Sequence, residues 1–424
     1  MSEKYTLVIC EKPDAARKVA EAVRDESISE KRLQGISVLT VENRDKTYVI
    51  CSAVGHLYTV GDPANRRTVY PILDTEWFPS YRVNKDAFRT RNCIEAIQEL
   101  SKNASDYINC CDFDIEGSVI GYNILRYACG VEGGASRAKF STLTREEVRE
   151  AVRKARPGAD GRLAEAGRAR HVMDFIYGIN LSRALSEAFL STKSGFTSFS
   201  VGRVQGPTLA MVVDREIDIQ TFVPTPFWNV SANIEKDGKV LRAPYIKEKL
   251  DTLAESEEIR EACKGKEGTI SKMSKSKSGM DPPFPFNLGD LQREAHKVFG
   301  FSPSQTLAMA ERLYLGALIS YPRTSSQKLP ASINCKKILQ DLKRSPPYSG
   351  DVDSLLNGRI VPNQGPKTDP AHPSIYPTGE LPKAQLESRE GKLFDLIVRR
   401  FFAVFGDKAI RESIIAVITI SDYD

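Results

Sequence analysis

Two hydrophobic patterns alternate over the first 150 residues. Short apolar runs are typical of buried strands, and apolar positions three or four residues apart are typical of helices. Thr6–Cys10 predicts a strand, and "EKPDAARKVAEAV" places Pro13 near the start of a following helix. Tyr48–Val54 predicts a second strand, and "YINCCDFDIEGSVIG" predicts a third strand, an acidic turn and a helix from about Ser118. This alternation predicts an α/β domain.

The middle of the chain changes from helical to alternating periodicity. A helix is predicted over about residues 160–190, and another at "VQGPTLAMVVDREI". From Pro224 onward, "FWNVSANIEKDGKVLRAPY" predicts a hairpin with Asp237 and Gly238 at its turn. A strand and an exposed, Pro-rich boundary near residue 280 follow.

The last part is predicted to be helical to about residue 345, to form Pro- and Gly-rich loops to residue 383, and to end in an amphipathic helix and a strand. "FSPSQTLAMAERLYLG" predicts a helix that is capped by Ser302 and Gln305 and ends at Leu315. A short apolar strand should then lead to Tyr321.

The composition of the chain restricts the classes of protein to which it can belong. The 424 residues are 41% hydrophobic and 27% charged, which predicts a globular chain of several domains. The sequence has no apolar run near the roughly 20 residues that span a bilayer and no signal-peptide pattern at its start, so we expect a cytoplasmic protein. Its net charge of +5 permits a nucleic-acid partner without requiring one. The eight cysteines form no CxxC pair, so we expect reduced, buried thiols.

An acidic turn is the first candidate for chemistry. Asp112, Asp114 and Glu116 occupy alternate positions, so in an extended backbone their carboxylates share one side and could bind one hard cation. A solvated acidic loop would have the same pattern. An EF-hand loop is excluded because Asn123 stands where its last glutamate is required. Glu11 favours the metal site, because it also follows a strand of the α/β domain.

Two basic segments are weaker candidates. The helix predicted near residue 170 carries Arg168, Arg170, Asp174 and Arg183. A surface ladder of ion pairs would explain these residues equally well. In "SVGRVQGPTL", the Arg203 guanidinium could pair with phosphate, and Gln205 could donate to phosphate or to a base edge.

The segment "LISYPRTSSQ" offers a nucleophile. The Tyr321 phenol has an ordinary pKa near 10, so attack on phosphorus at neutral pH requires nearby cations or a base. Arg323 is close enough in sequence to stabilise charge on the phosphate oxygens. Taken alone, the segment is explained more simply by a tyrosine packed in the core.

Eight segments in a fixed order resemble the type IA DNA topoisomerases, and most of all the archaeal enzymes grouped with topoisomerase III. They are "EKPDAAR", "GHL", "DFDIEGSVIG", "ARHVMDFIYGINLSRAL", "SVGRVQGPTL", "LQREA", "LISYPRTSSQ" and "HPSIYPT". They extend from residue 11 to residue 378. Glu11 together with the acidic turn resembles the signature of the toprim fold.

The resemblance implies a multidomain α/β plus α fold in a toroidal arrangement. Residues 1–150 would form the toprim α/β domain, and residues 151–215 a helical domain that binds single strands. Residues 216–280 and 385–424 would form a β-rich arch, and residues 281–384 a helical domain that carries the nucleophile. Because members of the family normally continue beyond the position of residue 424, we expect the arrangement to be C-terminally short.

The resemblance also implies residue roles. Tyr321 would attack one DNA strand and become linked to its 5′-phosphate. Asp112, Asp114 and Glu116, with Glu11 as a further candidate ligand, would hold Mg²⁺. The other catalytic candidates are Glu11 as the acid for the leaving 3′-oxygen, Lys12, Arg323 and His372. The DNA-binding candidates are Arg168, Arg170, Asp174, Arg183, Arg203 and Gln205.

The implied enzyme relaxes or decatenates single-stranded or underwound DNA near the nucleoid. We expect no ATP requirement because the chain has no Walker motif, and no membrane partner. We also expect a monomer, with a helicase or a single-strand-binding protein as candidate partners. The alternative is a chain that binds or cleaves single strands without completing strand passage. Two departures from the family pattern are "TSS" after Arg323 and Ser118 after "IEG".

Overall fold

The computed structural model describes residues 4–43, 46–66, 69–131, 133–158, 161–192 and 198–424. These residues form two compact units. The first unit is Met1–Gly206 with Pro283–Gly406, and the second is Pro207–Pro282 with Asp407–Asp424. The division into four domains stays a prediction.

The strands of the described residues are β1 (Tyr5–Cys10), β2 (Ile28–Leu33), β3 (Ile36–Asn43), β4 (Lys46–Ser52), β5 (Tyr58–Gly61), β6 (Glu76–Pro79), β7 (Ala104–Asn109), β8 (Ser136–Arg137), β9 (Arg156–Pro157), β10 (Ser231–Lys236), β11 (Lys239–Pro244), β12 (Gly268–Met280) and β13 (Ala409–Ile420). The α-helices are α1 (Pro13–Val23), α2 (Ser80–Val83), α3 (Arg89–Ser101), α4 (Ile115–Asn123), α5 (Arg145–Arg153), α6 (Gly161–Leu190), α7 (Gln205–Thr221), α8 (Leu253–Cys263), α9 (Leu288–Phe299), α10 (Pro303–Leu315), α11 (Cys335–Leu342), α12 (Pro346–Leu356) and α13 (Ser388–Ala403).

A seven-stranded sheet organises the first unit, in the order β2-β3-β4-β1-β7-β8-β9. The central strand β1 pairs in parallel with β4 and with β7. Its side chains alternate between two buried clusters: Val8 and Cys10 face one, and Leu7 and Ile9 face the other. The apolar run predicted near the N-terminus is therefore a strand buried on both faces.

The cluster around Val8 continues into the C-terminal helices of the same unit. It contains residues of α1 and α5 together with Leu313 of α10, Leu339 of α11 and Phe401 of α13. One apolar core therefore joins a face of the sheet to the helices that precede and follow Tyr321.

The end of α10 directs the chain toward Tyr321. The capping box of Ser302 and Gln305 is present at its start, and Gly316 is its C-cap, as predicted. The amide of Ala317 donates to the Tyr314 carbonyl at 2.8 Å, and that of Leu318 donates to the Leu313 carbonyl at 3.0 Å. This is a Schellman motif in which Ala317, with φ 64°, takes the left-handed position usually filled by glycine. Instead of the predicted strand, a single bridge between Ile319 and Pro377 follows.

Most elements agree with the hydrophobic pattern. The helix predicted over 160–190 runs from Gly161 to Leu190, and residue 160 lies outside the described residues. Two further predictions are wrong. The helix predicted from Ser118 begins at Ile115, and α12 occupies part of a segment predicted to be loop. Prolines at the first positions of α12 misled the prediction, although they are compatible with a helix start.

The second unit consists of two antiparallel pairs and α8. The β10–β11 hairpin turns at Asp237 and Gly238, both with positive φ, as the sequence predicted. Strand β12 pairs with β13 along a register from Gly268–Ile420 to Met280–Ala409.

All eight cysteines are free, and five of them are buried, as expected. Within the described parts of the chain, none of the helices combines the length and apolar character that a bilayer span requires.

Helices α4 and α6 pack closely because Gly167 has no side chain. A Cβ atom at Gly167 would lie 2.3 Å from Val119 Cγ2 and 2.9 Å from Ile115 Cγ2. We expect Gly167→Ala to lower the free energy of unfolding by about 1–3 kcal/mol, because this contact cannot accept a methyl group without displacement. The matched control is Gly161→Ala in the same helix, where a Cβ would meet nothing within 4 Å. Equal urea midpoints for both variants would contradict the prediction.

Candidate active site

Two strands of the central sheet end side by side on charged residues. In the parallel pair β1–β7, Ile9 lies opposite Asn109, so Glu11 and Asp112 follow at the same edge of the sheet. Lys12 bridges them: its Nζ atom lies 3.4 Å from Glu11 Oε1 and 3.3 Å from Asp112 Oδ2. The structure thus brings together three of the residues predicted for the site.

The acidic turn is also the start of α4. Asp114 is the N-cap, and its Oδ1 atom accepts a hydrogen bond from the amide of Gly117 at 2.7 Å. A Cβ atom at Gly117 would lie 2.2 Å from the Asp112 carbonyl oxygen, so the turn requires glycine there. Because Asp114 caps the helix, α4 begins three residues before the predicted position.

Arg137 stabilises the backbone of this turn through hydrogen bonds. It is buried, and its guanidinium donates to the carbonyl oxygens of Cys111 at 2.6 Å and Asp112 at 2.8 Å. It also donates to the Asn109 carbonyl at 3.1 Å. Sequence reasoning missed this residue, because an arginine in "GGASRAKF" has no pattern that separates it from a surface arginine.

The carboxylates around Lys12 are crowded and poorly solvated. Burial, and then the neighbouring Asp112 charge, raise the pKa of Glu11 to about 7. Burial also raises the pKa of Asp112, with a further contribution from Asp114. Carboxylate oxygens that repel one another in a buried site are a suitable donor set for a hard divalent cation. Glu11, Asp112 and Asp114 are therefore candidate donors for a metal ion, and this assignment stays a prediction.

Glu116 faces away from this group. Its Oε2 atom lies 3.0 Å from the Nε2 atoms of both His56 and His171. Arg170 Nη1 lies 3.4 Å from its other oxygen, Oε1. The argument from alternate positions assumed an extended backbone, whereas Glu116 lies in the first turn of a helix. Its role as a ligand of the same metal ion stays a prediction.

Tyr321 reaches the acidic turn from the helical part of the first unit. Its amide donates to the Ser141 carbonyl at 2.8 Å, and its hydroxyl donates to Asp114 Oδ2 at 2.5 Å. The side chain is 3% exposed, and burial together with the charges of Asp112 and Asp114 raises the pKa of the phenol well above its usual range. The interpretation of Tyr321 as a packed core residue is therefore correct about its burial. Its hydroxyl, however, contacts a carboxylate of the acidic turn.

Tyr314 is a second phenol at the site that sequence reasoning did not single out. Its hydroxyl donates to Asp112 Oδ1 at 3.1 Å, and its ring contacts that of Tyr321 edge to face at 5.2 Å. The available signal was its place on the apolar face of α10, which predicts only a core residue.

Arg323 is near the site but is engaged elsewhere. Its Nε atom donates to Glu311 Oε1 at 2.8 Å, and the side chain is about half exposed. Burial lowers the pKa of Arg323, but the hydrogen bond and charge of Glu311 outweigh it and raise the pKa, with smaller contributions from Tyr321 and Asp114. An incoming phosphate would therefore compete with Glu311 for this guanidinium.

His372 packs beside Tyr321 in a defined tautomer. Its ring centroid lies 4.6 Å from that of Tyr321. Nε2 lies 3.0 Å from the Phe113 carbonyl oxygen, which can only accept, so Nε2 carries the hydrogen and Nδ1 accepts from the Ser141 hydroxyl at 3.0 Å. Burial lowers the pKa of His372 to about 4, so the ring is neutral at neutral pH.

The DNA-binding candidates fall into two groups. Arg203 Nε donates to Asp174 Oδ1 at 2.7 Å, and Arg170 Nε lies 3.7 Å from Asp174 Oδ2. With the contact between Arg170 and Glu116, they form a line of ion pairs that ends at α4. The side chain of Gln205 lies against Gly202, since a Cβ there would be 3.1 Å from Gln205 Oε1.

Arg168 and Arg183 contact the protein itself. Arg168 lies over the Trp77 ring at 4.7 Å and donates to the Tyr127 hydroxyl at 3.0 Å. Arg183 donates to the carbonyl oxygens of Val69 at 2.6 Å and Arg66 at 2.8 Å.

The two parts of this site correspond to two family matches. The toprim domain matches residues 6–143, so the sheet that carries Glu11 and Asp112 belongs to a class of domain that generally binds metal. The family described as DNA topoisomerase matches residues 159–423. The chain belongs to the type IA DNA topoisomerases, and the resemblance inferred from its motifs is confirmed.

Comparisons with individual relatives support this family assignment. The chain is 44% identical over 413 residues to DNA topoisomerase 1 of Pyrococcus horikoshii, covering 96% of this chain and 60% of that one. It is 30% identical over 416 residues to DNA topoisomerase 3 of Bacillus subtilis, covering 94% and 54%. In fold it resembles full-length topoisomerase I from Thermotoga maritima, with a TM-score of 0.69 and 24% identity over 98% of this chain and 63% of that one. The chain thus spans about 60% of the length of these relatives.

The contacts of Arg137 give a prediction for the turn. We expect Arg137→Lys to lower the free energy of unfolding by about 2–4 kcal/mol, because one ammonium group cannot satisfy several buried carbonyl oxygens at once. The control is Arg153→Lys, which alters an exposed ion pair with Glu150 in α5. Both would be measured by urea denaturation, and an unchanged midpoint for Arg137→Lys would contradict the role given to this residue.

Proposed function

We propose that the chain is an ATP-independent enzyme that cleaves one DNA strand through a 5′-phosphotyrosyl intermediate and rejoins it after strand passage. Membership of the topoisomerase family supports this proposal. The observation that carries it is the hydrogen bond from the Tyr321 hydroxyl to Asp114, since it places a phenol from residue 321 among the carboxylates at the ends of β1 and β7.

The first requirement is removal of the phenol proton. Because burial and nearby negative charge raise the pKa of Tyr321, free phenolate is too scarce to serve as the nucleophile. Asp114 already accepts the hydrogen bond at 2.5 Å, so it is positioned to take the proton as attack begins.

The second requirement is a proton for the leaving oxygen. The Tyr321 oxygen forms a bond to phosphorus while the bond from phosphorus to the 3′-oxygen breaks, and that oxygen must gain a proton to leave as a hydroxyl. Glu11 is the candidate donor, because its raised pKa of about 7 keeps a substantial protonated fraction near neutral pH. Religation reverses both proton transfers.

Positive charge at the phosphate would come from Lys12 and Arg323. Lys12 lies between Glu11 and Asp112, next to the position of the proposed acid. Arg323 would exchange its contact with Glu311 for a phosphate oxygen. His372 is neutral, and its ring holds Tyr321 in place while its two nitrogens fix Phe113 and Ser141.

Asp112 and Asp114 are the residues that would hold Mg²⁺ while Glu11 acts as the acid. Glu116 is a further candidate ligand that would first have to leave the two histidines. Bound Mg²⁺ would supply positive charge that orients the phosphate oxygens, which matters most for religation. It would also offset the burial and, after it, the repulsion from Asp114 that raise the pKa of Asp112.

The strand itself would lie along α6 and the segment before α7. Arg203 and Gln205 offer donors, and a bound phosphate would compete with Asp174 for Arg203. The contacts of Arg168 and Arg183 suit them to holding α6 in position. We infer a single-stranded or underwound DNA substrate, action as a monomer at the nucleoid, and helicase or single-strand-binding partners.

The nucleophile is tested with labelled, 3′-tailed single-stranded DNA and Mg²⁺, followed by denaturation. We expect a covalent protein–DNA adduct from the native chain and none from Tyr321→Phe, because only the phenol oxygen can form the phosphodiester. Tyr348→Phe, a buried tyrosine that packs on Phe402, is the matched control and should keep the adduct. An adduct of equal yield from Tyr321→Phe would refute the assignment. Adduct formation without plasmid relaxation would assign the chain the narrower activity of strand cleavage.

The carboxylates are tested through religation. We expect Asp112→Ala with Asp114→Ala, or removal of Mg²⁺ by chelation, to reduce religation by at least about tenfold, because the ion that orients the phosphate is lost. The measurement is the decay of preformed adduct after high salt is added. Asp251→Ala, an exposed acidic residue of the second unit, is the control. Religation at the native rate in the double variant would contradict the metal assignment.

A further inference from the structure

Two of the four histidines of the chain meet at Glu116. His56 follows β4, Glu116 lies in the first turn of α4, and His171 lies in the middle of α6. The ligand atoms of the three side chains all lie within 4.8 Å of one another.

We propose that His56, Glu116 and His171 form a binding site for a divalent transition cation of the Zn²⁺ type, separate from the carboxylate site that would take Mg²⁺. Two imidazole nitrogens and one carboxylate oxygen are ligands that Zn²⁺ and its neighbours prefer, whereas Mg²⁺ prefers oxygen ligands. The fourth position would be filled by water.

The distances suit a small tetrahedral ion. Metal–ligand bonds of about 2.0–2.1 Å place the ligand atoms of a tetrahedron roughly 3.3 Å apart. The Nε2 atoms of both histidines lie 3.0 Å from Glu116 Oε2. Each of these two nitrogen–oxygen distances therefore needs to lengthen by only a few tenths of an ångström to match the tetrahedral spacing. A rotation of the two histidine rings would make room for the ion.

Neighbouring side chains pack against the two histidine rings, and the two oxygens of the Glu116 carboxylate have different partners. The ring centroid of His171 lies 5.0 Å from that of His56 and 5.7 Å from that of Trp77. Arg170 contacts Oε1 of Glu116, which leaves Oε2 for the histidines. Each of the three side chains is about one third exposed, so a cation can reach them from solvent. Hydrogen bonds from the two histidines keep the pKa of Glu116 below its usual value, so the carboxylate is ionised.

An ion at this site would join three segments that are distant in sequence. It would tie α6, which carries Arg170 and Asp174, to the start of α4, where Asp114 is the cap. Occupancy should therefore stabilise the first unit as a ligand that binds only the folded chain.

The test uses the full chain, freed of metal with a chelator and kept in excess Mg²⁺. Zn²⁺ affinity is measured by competition with a chromophoric zinc chelator, and the ligand type is read from the absorption spectrum of the Co²⁺ form. We expect one equivalent to bind, with a spectrum that lacks a thiolate charge-transfer band. His56→Asn and His171→Asn should each weaken binding by at least about tenfold.

Two variants serve as controls for Zn²⁺ binding. His296→Asn alters a histidine of α9 that contacts the Phe301 carbonyl, and Asp114→Asn alters the carboxylate site. Both should keep the native affinity. Native circular dichroism of each variant excludes misfolding as a cause. Unchanged Zn²⁺ affinity in both His56→Asn and His171→Asn, a thiolate band in the Co²⁺ spectrum, or displacement of Zn²⁺ by Mg²⁺ would each overturn the proposal.

Discussion

The structure of the first unit depends on keeping three carboxylates close together where water is scarce. Glu11, Asp112 and Asp114 would repel one another without compensation. The fold places hydrogen-bond donors next to these carboxylates. They are the ammonium group of Lys12, which follows β1, and the hydroxyl groups of Tyr314 in α10 and Tyr321 after it. The Tyr321 hydroxyl is therefore one of the groups that stabilise the acidic turn, so the proposed chemistry and the stability of the turn depend on the same hydrogen bond.

The backbone of the turn is stabilised separately from its carboxylates. Arg137 satisfies carbonyl oxygens beneath the turn, while Gly117 allows the first turn of α4 to approach them. The guanidinium of Arg137 donates to the backbone, whereas the carboxylate oxygens of Asp112 and Asp114 accept from Lys12, Tyr314 and Tyr321. A cation or a phosphate that binds at the turn would have to replace some of these side-chain donors.

Much of the fold could be predicted because strand and helix periodicities are local. The strand Tyr5–Cys10, the capped helix from Pro303 and the turn at Asp237 and Gly238 all follow from residues within a few positions of one another. The family was predicted through motifs that include Glu11, the acidic turn and the tyrosine segment, and the roles of these residues stay predictions.

What could not be predicted depends on distant partners. Nothing near Tyr314 in sequence shows that its hydroxyl meets Asp112 about two hundred residues away. Glu116 shows the opposite error, because a regular spacing suggested convergence, whereas the helix that starts at Ile115 turns it toward His56 and His171. Only the tertiary structure decides which neighbours a side chain acquires.

The apolar core shared by the sheet and the C-terminal helices has a consequence for motion. If a second DNA strand is to pass, Tyr321 must move away from Asp114. The helices on either side of Tyr321 in sequence belong to the same buried cluster as α1 and α5, so they would have to separate from those two helices. Separating them would expose apolar surface to water, at about 25 cal/mol for each Å². An open form would therefore be a rare, thermally excited state whose lifetime is short unless DNA covers the exposed surface. If the proposed cleavage takes place, the core that positions the phenol would therefore also favour the closed form, in which the two ends of a cleaved strand stay close together.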